Sequence, residues 1–159
     1  MNDKITKEQL LDFVAPCSIL CYACAEFKSG VIGHHAKQLN NYFLGFYELK
    51  RDENVKKFTQ TLEFLANHLS VCEGCRSNPK PDSCIKDCFI LACTQEHNVD
   101  FCGECHEFPC EKVKLSGIFS EKNNDKWLAH NRYIKEHGAM KFFEDYKSKS
   151  QYMHHMRND

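Results

Sequence analysis

The chain has 159 residues, 42% of them hydrophobic, and a formal net charge of −1, so no basic surface for nucleic acid is expected. The longest apolar runs fall far short of the roughly 20 residues that a membrane-spanning helix needs, so no membrane partner is expected either. At this length we predict one domain, residues 1–159.

The N-terminal sequence, MNDKITKEQLLDF, has no apolar segment ahead of a small-residue cleavage site, so no signal peptide is expected. We therefore predict a cytoplasmic protein. The chain contains 11 cysteines, an odd number, whereas disulfides use cysteines in twos. In a reducing compartment this composition favours bound metal over disulfides. A secreted, disulfide-linked scaffold that has lost its leader is the alternative.

The first predicted element is a short helix near the N-terminus. Thr6 and Gln9 have the spacing of a capping box, an apolar run follows them, and Pro16 ends the helix. The cysteine-rich part of the chain is expected from about this point, over residues 14–114.

Three cysteines follow the helix in C-x3-C-x2-C spacing, Cys17, Cys21 and Cys24. Radical S-adenosylmethionine enzymes bind a [4Fe–4S] cluster with this spacing, but they usually place an aromatic residue before the last cysteine, where this chain has Ala23. They also need most of a βα barrel, for which this chain is too short and lacks βαβ alternation. We therefore expect three thiolates of a metal site whose fourth ligand lies elsewhere.

A cysteine-free region predicts a helical hairpin, inserted at about residues 34–70. Apolar residues recur at helical spacing over 34–46 and again over 53–69, and a hinge is expected near residues 50–52. The apolar stripe on these two helices is expected to form core rather than a cofactor site. The adjacent histidines at the start of the first helix, His34 and His35, could bind metal, but we expect them to be exposed to solvent instead.

The next segment, residues 72–110, carries eight of the eleven cysteines. Two C-x2-C pairs stand out in it, Cys72 with Cys75 and Cys102 with Cys105. Such a pair places two sulfurs about 2.3 Å from one tetrahedral ion, and a second pair completes the ligand shell. Two pairs with four further cysteines around them therefore predict bound metal.

Local structure can also be predicted within this segment. Gly74 and Gly103 lie inside the two C-x2-C pairs, where we expect a left-handed backbone that turns successive N–H groups toward sulfur. Residues 84–93 predict a helical stretch that carries ligands.

The remainder of the chain predicts a loop over residues 117–124 and a C-terminal helical segment over residues 124–150. Gly138 is expected to end one helix in this segment and to separate it from a second. Helical patterns therefore dominate the sequence, with almost no period-two alternation. The predicted fold class is mainly α, with helices packed around a cysteine-rich, metal-bound irregular core.

Zinc is the expected metal, as two or three ions, because the C-x2-C pairs are widely separated, as in structural zinc sites. The sequence lacks the compact run of cysteines that bacterial ferredoxins use, which disfavours an iron–sulfur cluster. Such a cluster is kept as the alternative to zinc. All eleven cysteines are candidate ligands: Cys17, Cys21, Cys24, Cys72, Cys75, Cys84, Cys88, Cys93, Cys102, Cys105 and Cys110.

The cysteines can be grouped by their order in the chain. The expected first set is Cys72, Cys75, Cys84 and Cys88, and the second is Cys93, Cys102, Cys105 and Cys110. Cys17, Cys21 and Cys24 remain, and a histidine would complete their shell, with His106, His97 and His35 as candidates in that order. An interleaved arrangement, in which pairs are shared between sets, is the main rival.

These motifs together resemble domain-of-unknown-function family 3795, small cysteine-rich proteins of bacteria and archaea. The matching motifs are Cys17-x3-Cys21-x2-Cys24, Cys72-Glu73-Gly74-Cys75-Arg76, Asp87-Cys88-x4-Cys93 and Cys102-x2-Cys105-x3-Pro109-Cys110-Glu111. The resemblance covers roughly residues 14–114 and implies zinc binding in a protein with no established activity. It supplies no catalytic residues. One position departs from the pattern, because the family tends to carry glycine after its first cysteine and this chain has Ser18.

Two classes of function remain open on the sequence. In the first, structural zinc holds together a binding or scaffold module whose protein partner is unknown. In the alternative, the chain is an iron–sulfur or redox protein, or a metal-dependent enzyme with an open position at the Cys17, Cys21 and Cys24 site. The first class is favoured, and no catalytic residues are predicted, because the sequence has no His-Glu-x-x-His motif, serine triad pattern or phosphate loop.

Overall fold

Helices make up most of the chain, and the described residues of this computed structural model, 5–77, 85, 88–116 and 119–150, contain no β-strand. The helices are α1 Lys7–Phe13, α2 Val31–Phe43, α3 Phe46–Lys50, α4 Glu53–Phe64, α5 Ile90–Glu96, α6 Glu111–Ser116, α7 Glu121–His137 and α8 Ala139–Tyr146. The predicted mainly α fold class is confirmed. No helix within the described ranges has the length and apolar character that crossing a bilayer would require.

Helix α1 begins as its sequence predicts. The Thr6 hydroxyl accepts a hydrogen bond from the Gln9 backbone N–H at 3.2 Å, and the Gln9 side chain accepts one from the Thr6 backbone N–H at 2.8 Å. This reciprocal capping box satisfies two backbone donors that the helix itself leaves unpaired. The helix ends at Phe13, where Val14 turns to an extended backbone ahead of Pro16.

Packing divides the chain into two compact units. We call Met1–Cys21 with Gly74–Asp159 the cysteine unit, and Tyr22–Glu73 the hairpin unit. The single-domain organisation expected from the sequence stays a prediction.

The hairpin unit is built on helix α2, which packs against α4 and against the π-helical turn Leu65–Leu69 that continues α4. The predicted first helix was displaced along the chain, because α2 begins at Val31 and ends at Phe43. Gly45, with φ of 78°, separates it from helix α3, which starts at Phe46. The apolar stripe is only partly core, since Ala36 and Leu62 are buried whereas Phe58 remains exposed.

The cysteine unit has a core in which sulfur and aromatic side chains are mixed. Buried residues of this core are Ala15, Cys17, Ile90, Phe108, Val113 and Trp127. Half-buried cysteines pack against it, namely Cys21, Cys75, Cys88, Cys102, Cys105 and Cys110. Thiol groups therefore take positions that aliphatic side chains fill in an ordinary core.

Two element boundaries in this unit differ from the predictions. Helix α5 begins at Ile90, so it carries Cys93 but not Cys88. Residues 84, 86 and 87 of the predicted helix lie outside the described residues. Helix α7 begins at Glu121, inside the predicted loop, because Ser120 caps it by accepting from the Asn123 N–H at 3.4 Å. The predicted break at Gly138 is confirmed, with φ of 82°.

Candidate metal centre

Four cysteines of the cysteine unit line a single cleft of about 30 Å³: Cys93, Cys102, Cys105 and Cys110. Cys93 lies on α5, and Cys102 begins the 3-10 turn Cys102–Glu104, which Cys105 terminates. Cys110 stands directly before α6. The second set expected from the sequence is thus brought together, while its role as a ligand set stays a prediction.

The electrostatics of these thiols suit a cation. The pKa of Cys102 is raised to about 12, mainly by burial and also by the nearby Cys93, Cys110 and Cys105, because a second negative charge close by is unfavourable. Burial likewise raises the pKa of Cys93. A bound cation removes this penalty, since it is coordinated by the thiolate form and displaces the proton.

Trp127 of α7 provides a second indication that the cleft accommodates negative charge on sulfur. Its side chain is only 3% exposed, and its Nε1–H finds no well-formed hydrogen bond among the described residues. The same N–H lies close enough to the Cys102 sulfur to lower the pKa of that thiol. A neutral thiol is a weak acceptor and a thiolate a strong one, so the contact becomes favourable when Cys102 ionises.

A second group of sulfurs lies near Cys102 in the same unit. Cys17 is buried, which raises its pKa well above the ordinary thiol value, and Cys75, Cys102 and Cys21 raise it further. Cys75 therefore lies near Cys17 and Cys21. This neighbourhood joins Cys75 to Cys17 and Cys21, as in the interleaved alternative, while the division of the sulfurs into ligand sets stays a prediction.

Arg76 is the cation that the fold places beside these three sulfurs. Its guanidinium donates hydrogen bonds to the backbone oxygens of Leu11, Val14 and Asp100, and lies 5.1 Å from the centre of the Phe101 ring. Burial lowers the pKa of Arg76, and the nearby Asp100 carboxylate and thiolates oppose that shift. The guanidinium thus joins α1 to the segment before Cys102 and adds positive charge where thiolates would form.

Asn131 of α7 connects the turns that carry Cys17 and Cys102. It is fully buried, its Oδ1 accepts from the Gly103 N–H at 2.9 Å, and its Nδ2 donates to the Ser18 hydroxyl at 2.9 Å. Ser18 has a left-handed backbone, φ of 67°, a conformation that glycine adopts more readily than a residue with a Cβ.

The two glycines of the C-x2-C pairs have different roles. Gly74 has φ of 87°, as predicted. The prediction of a left-handed Gly103 was wrong, because this residue lies in the 3-10 turn. A Cβ at Gly103 would lie 2.3 Å from the backbone oxygen of Asn131, so glycine allows the turn to approach α7.

The remaining cysteines lie in several places. Cys24 and Cys72 belong to the hairpin unit, where the Cys72 N–H donates to the Glu26 oxygen at 2.7 Å. Cys88 is half-buried against the core of the cysteine unit, and Cys84 lies outside the described residues. All ten described cysteines are thiols.

The three candidate histidines are also separated. His97 and His106 lie beside Cys105, with their ligand atoms and its sulfur all within 4.8 Å of one another. His35 is on α2 in the hairpin unit, where it forms a 3.2 Å hydrogen bond with Gln38. The structure therefore groups two of the three histidines with the second cysteine set.

Sequence reasoning assigned no role to Arg76 or Asn131. The signal for Arg76 was its position directly after a C-x2-C pair. For Asn131 the signal was a polar residue between Trp127 and Ile134 on the apolar face of α7, all three of which are buried.

A protein-family model described as "Protein of unknown function (DUF3795)" matches residues 13–115, more than half of the chain. The matched region contains all eleven cysteines. No curated protein and no solved structure matches this chain.

Proposed function

The chain belongs to the DUF3795 family of proteins of unknown function, and from this premise we propose that it is a metal-binding protein with structural zinc in multi-cysteine sites. The observation that carries the proposal is the convergence of Cys93, Cys102, Cys105 and Cys110 on one cleft. Four thiolates fill the tetrahedral shell of zinc and leave no position for water, which is the arrangement of a structural site.

The fold explains what such an ion would stabilise. The four sulfurs come from α5, from the 3-10 turn Cys102–Glu104 and from the start of α6, three short elements with few aliphatic side chains between them. A bound ion would hold these elements together where a larger apolar core would otherwise be needed. The indole N–H of Trp127 would then donate to the Cys102 thiolate and orient it.

Cys17, Cys21 and Cys75 supply thiolates toward a further ion in the same unit, and Arg76 offsets part of their charge. This grouping supports a total of two or more ions for the chain. The other cysteines remain candidate ligands, and a reducing, cytoplasmic setting keeps all of them reduced, as metal binding requires.

Metal analysis of the full chain, purified without added metal, tests the proposal. We expect zinc in the wild-type protein, and we expect Cys93→Ser and Cys102→Ser each to lose about one equivalent. Ala92→Ser is the matched control, because it introduces the same hydroxyl on the exposed side of α5 and should retain the full zinc content.

Two outcomes would contradict this assignment. Iron with a broad visible absorption band would favour the iron–sulfur alternative. Zinc content that is unchanged in Cys93→Ser and Cys102→Ser would show that the cleft is not a metal site.

A further inference from the structure

Two imidazoles lie beside the Cys105 thiol, and a carboxylate lies near both imidazoles. The ring nitrogens of His97 and His106 and the sulfur of Cys105 lie within 4.8 Å of one another. The two rings meet edge to face, with centroids 5.6 Å apart. Each ring therefore has a nitrogen atom near the same sulfur.

Local structure positions each member. His97 caps the C-terminus of α5, and its backbone N–H bonds to the Cys93 oxygen at 3.1 Å, so its ring stays beside the thiol cleft. His106 directly follows Cys105 and is 79% exposed. Glu107 lies between the rings, with one carboxylate oxygen 3.8 Å from His97 Nε2 and the other 3.8 Å from His106 Nε2.

These separations are close to those of a coordination shell. Ligand atoms around a tetrahedral zinc ion are about 3.5 Å apart, given bond lengths of about 2.0–2.3 Å, so a contraction of about 1 Å would bring the Cys105 sulfur and the two ring nitrogens to coordination distance. The Glu107 carboxylate, near both rings, would then supply the fourth ligand atom. Two imidazole nitrogens, one thiolate and one carboxylate oxygen form a borderline donor set, which suits divalent transition-metal ions rather than calcium or magnesium.

We propose that His97, His106, Glu107 and Cys105 form a second, solvent-facing site for a divalent transition-metal ion such as zinc, and that the Cys105 thiolate bridges it to the ion of the four-cysteine cleft. This inference rests on the proposed function, because it needs Cys105 to be a ligand of the inner ion. A thiolate has lone pairs for two ions, whereas an imidazole nitrogen has one, so Cys105 is the member that can be shared. The outer ion exchanges with solvent more readily than the inner one, because His106 is exposed whereas Cys102 is half-buried against the core.

Cobalt titration of the metal-free full chain tests the proposal, because Co²⁺ occupies tetrahedral zinc sites and reports thiolate ligands by absorption. We expect the double variant His97→Gln/His106→Gln to bind one equivalent fewer than the wild type, while keeping the thiolate-to-cobalt bands of the inner site. His137→Gln is the matched control, since His137 Nε2 also lies 3.8 Å from a glutamate oxygen, that of Glu136, and should titrate like the wild type.

The outcomes separate this inference from the proposed function. Equal stoichiometry in the wild type and the double variant, with thiolate bands in both, would overturn the outer site and leave the four-cysteine site standing. A wild type without thiolate-to-cobalt bands would overturn both.

A measurement on the wild-type protein covers the case in which the double variant does not fold. Diethyl pyrocarbonate modification, mapped by mass spectrometry, should label His106 in the metal-free chain and leave it largely unlabelled after saturation with Zn²⁺. His137 should be labelled in both states because it is exposed and belongs to no group of three candidate metal ligands among the described residues. Unchanged labelling of His106 at saturating Zn²⁺ would contradict the proposal.

Discussion

Single residues around the sulfurs contribute to the stability of the fold in ways that their positions in the sequence do not indicate. Ser18 is a clear case, because it holds a left-handed backbone with φ of 67° and is also buried and hydrogen-bonded to Asn131. The strained backbone costs about 1 kcal/mol for a residue with a Cβ, and a buried hydrogen bond contributes a similar amount. The two effects oppose each other at one position.

Substitutions of Ser18 separate these effects. Ser18→Ala keeps the backbone cost and loses the hydroxyl acceptor, so we expect it to lower the free energy of unfolding by about 1–2 kcal/mol. Ser18→Gly loses the same acceptor but relieves the backbone, so its stability should stay within about 0.5 kcal/mol of the wild type. Urea unfolding measures both. Equal destabilisation by the two variants would show that the backbone conformation is not costly.

Arg76 allows a second test at this scale. Its guanidinium donates hydrogen bonds to three backbone oxygens. A lysine ammonium, at the end of a flexible side chain, cannot reach all three at the same time. We expect Arg76→Lys to destabilise the protein by about 2 kcal/mol, because at least one part-buried acceptor loses its donor. Arg132→Lys, at an exposed position of α7, should stay within about 0.5 kcal/mol of the wild type. Similar unfolding midpoints for the two variants would contradict the role given to Arg76.

At the scale of elements, the key contact is that of helix α7 with the 3-10 turn Cys102–Glu104. The turn lies so close to α7 that only glycine fits at Gly103. The Asn131 side chain accepts a hydrogen bond from the Gly103 N–H. Because Cys102 and Cys105 flank this turn, the same contact sets the position of two candidate ligands.

Gly103→Ala tests whether this approach is tight. The added methyl would lie 2.3 Å from the Asn131 oxygen and 3.1 Å from the Ile134 Cβ, so α7 and the turn must separate. We expect a loss of about 2–3 kcal/mol in the free energy of unfolding, together with weaker metal retention. Gly45→Ala meets no atom within 4 Å and should cost only about 1 kcal/mol, from its positive φ. A smaller loss for Gly103→Ala than for Gly45→Ala would contradict the close contact.

At the scale of the whole molecule, the two units differ in what holds them together. The hairpin unit relies on helix packing, such as the Phe43 and Phe58 rings with centroids 5.1 Å apart. The cysteine unit places sulfurs inside its core. Removal of a bound ion should therefore affect the two units unequally.

Hydrogen exchange, measured by mass spectrometry before and after chelation, tests whether metal removal affects the two units unequally. We expect faster amide exchange in α5 and in the Cys102–Glu104 turn after metal removal, because their ligands no longer restrain them. Exchange in α2 and α4 should change little. Equal acceleration in both units, or none in either, would contradict a structural ion in the cysteine unit.

Local patterns in the sequence determined much of this protein. The capping box of α1, the helix break at Gly138 and the left-handed Gly74 are confirmed, because each depends on neighbours within a few residues. The family and the mainly α class were also correctly predicted, since cysteine spacing and helical periodicity are themselves local. The second cysteine set falls within one short segment, which is why the sequence could group it.

Only the tertiary structure decided which distant groups meet. Cys75 lies near Cys17, and Asn131 bonds to Ser18, because helix packing brings together segments far apart in the chain. The glycine requirement at Gly103 arises from its contact with α7 rather than from its own φ, so no turn pattern could reveal it. Arg76 donates hydrogen bonds to backbone oxygens. Because every residue has such an oxygen, residue types do not indicate which ones Arg76 contacts. Local periodicity sets the elements, whereas the contacts between elements depend on side-chain volume and hydrogen-bond geometry in three dimensions.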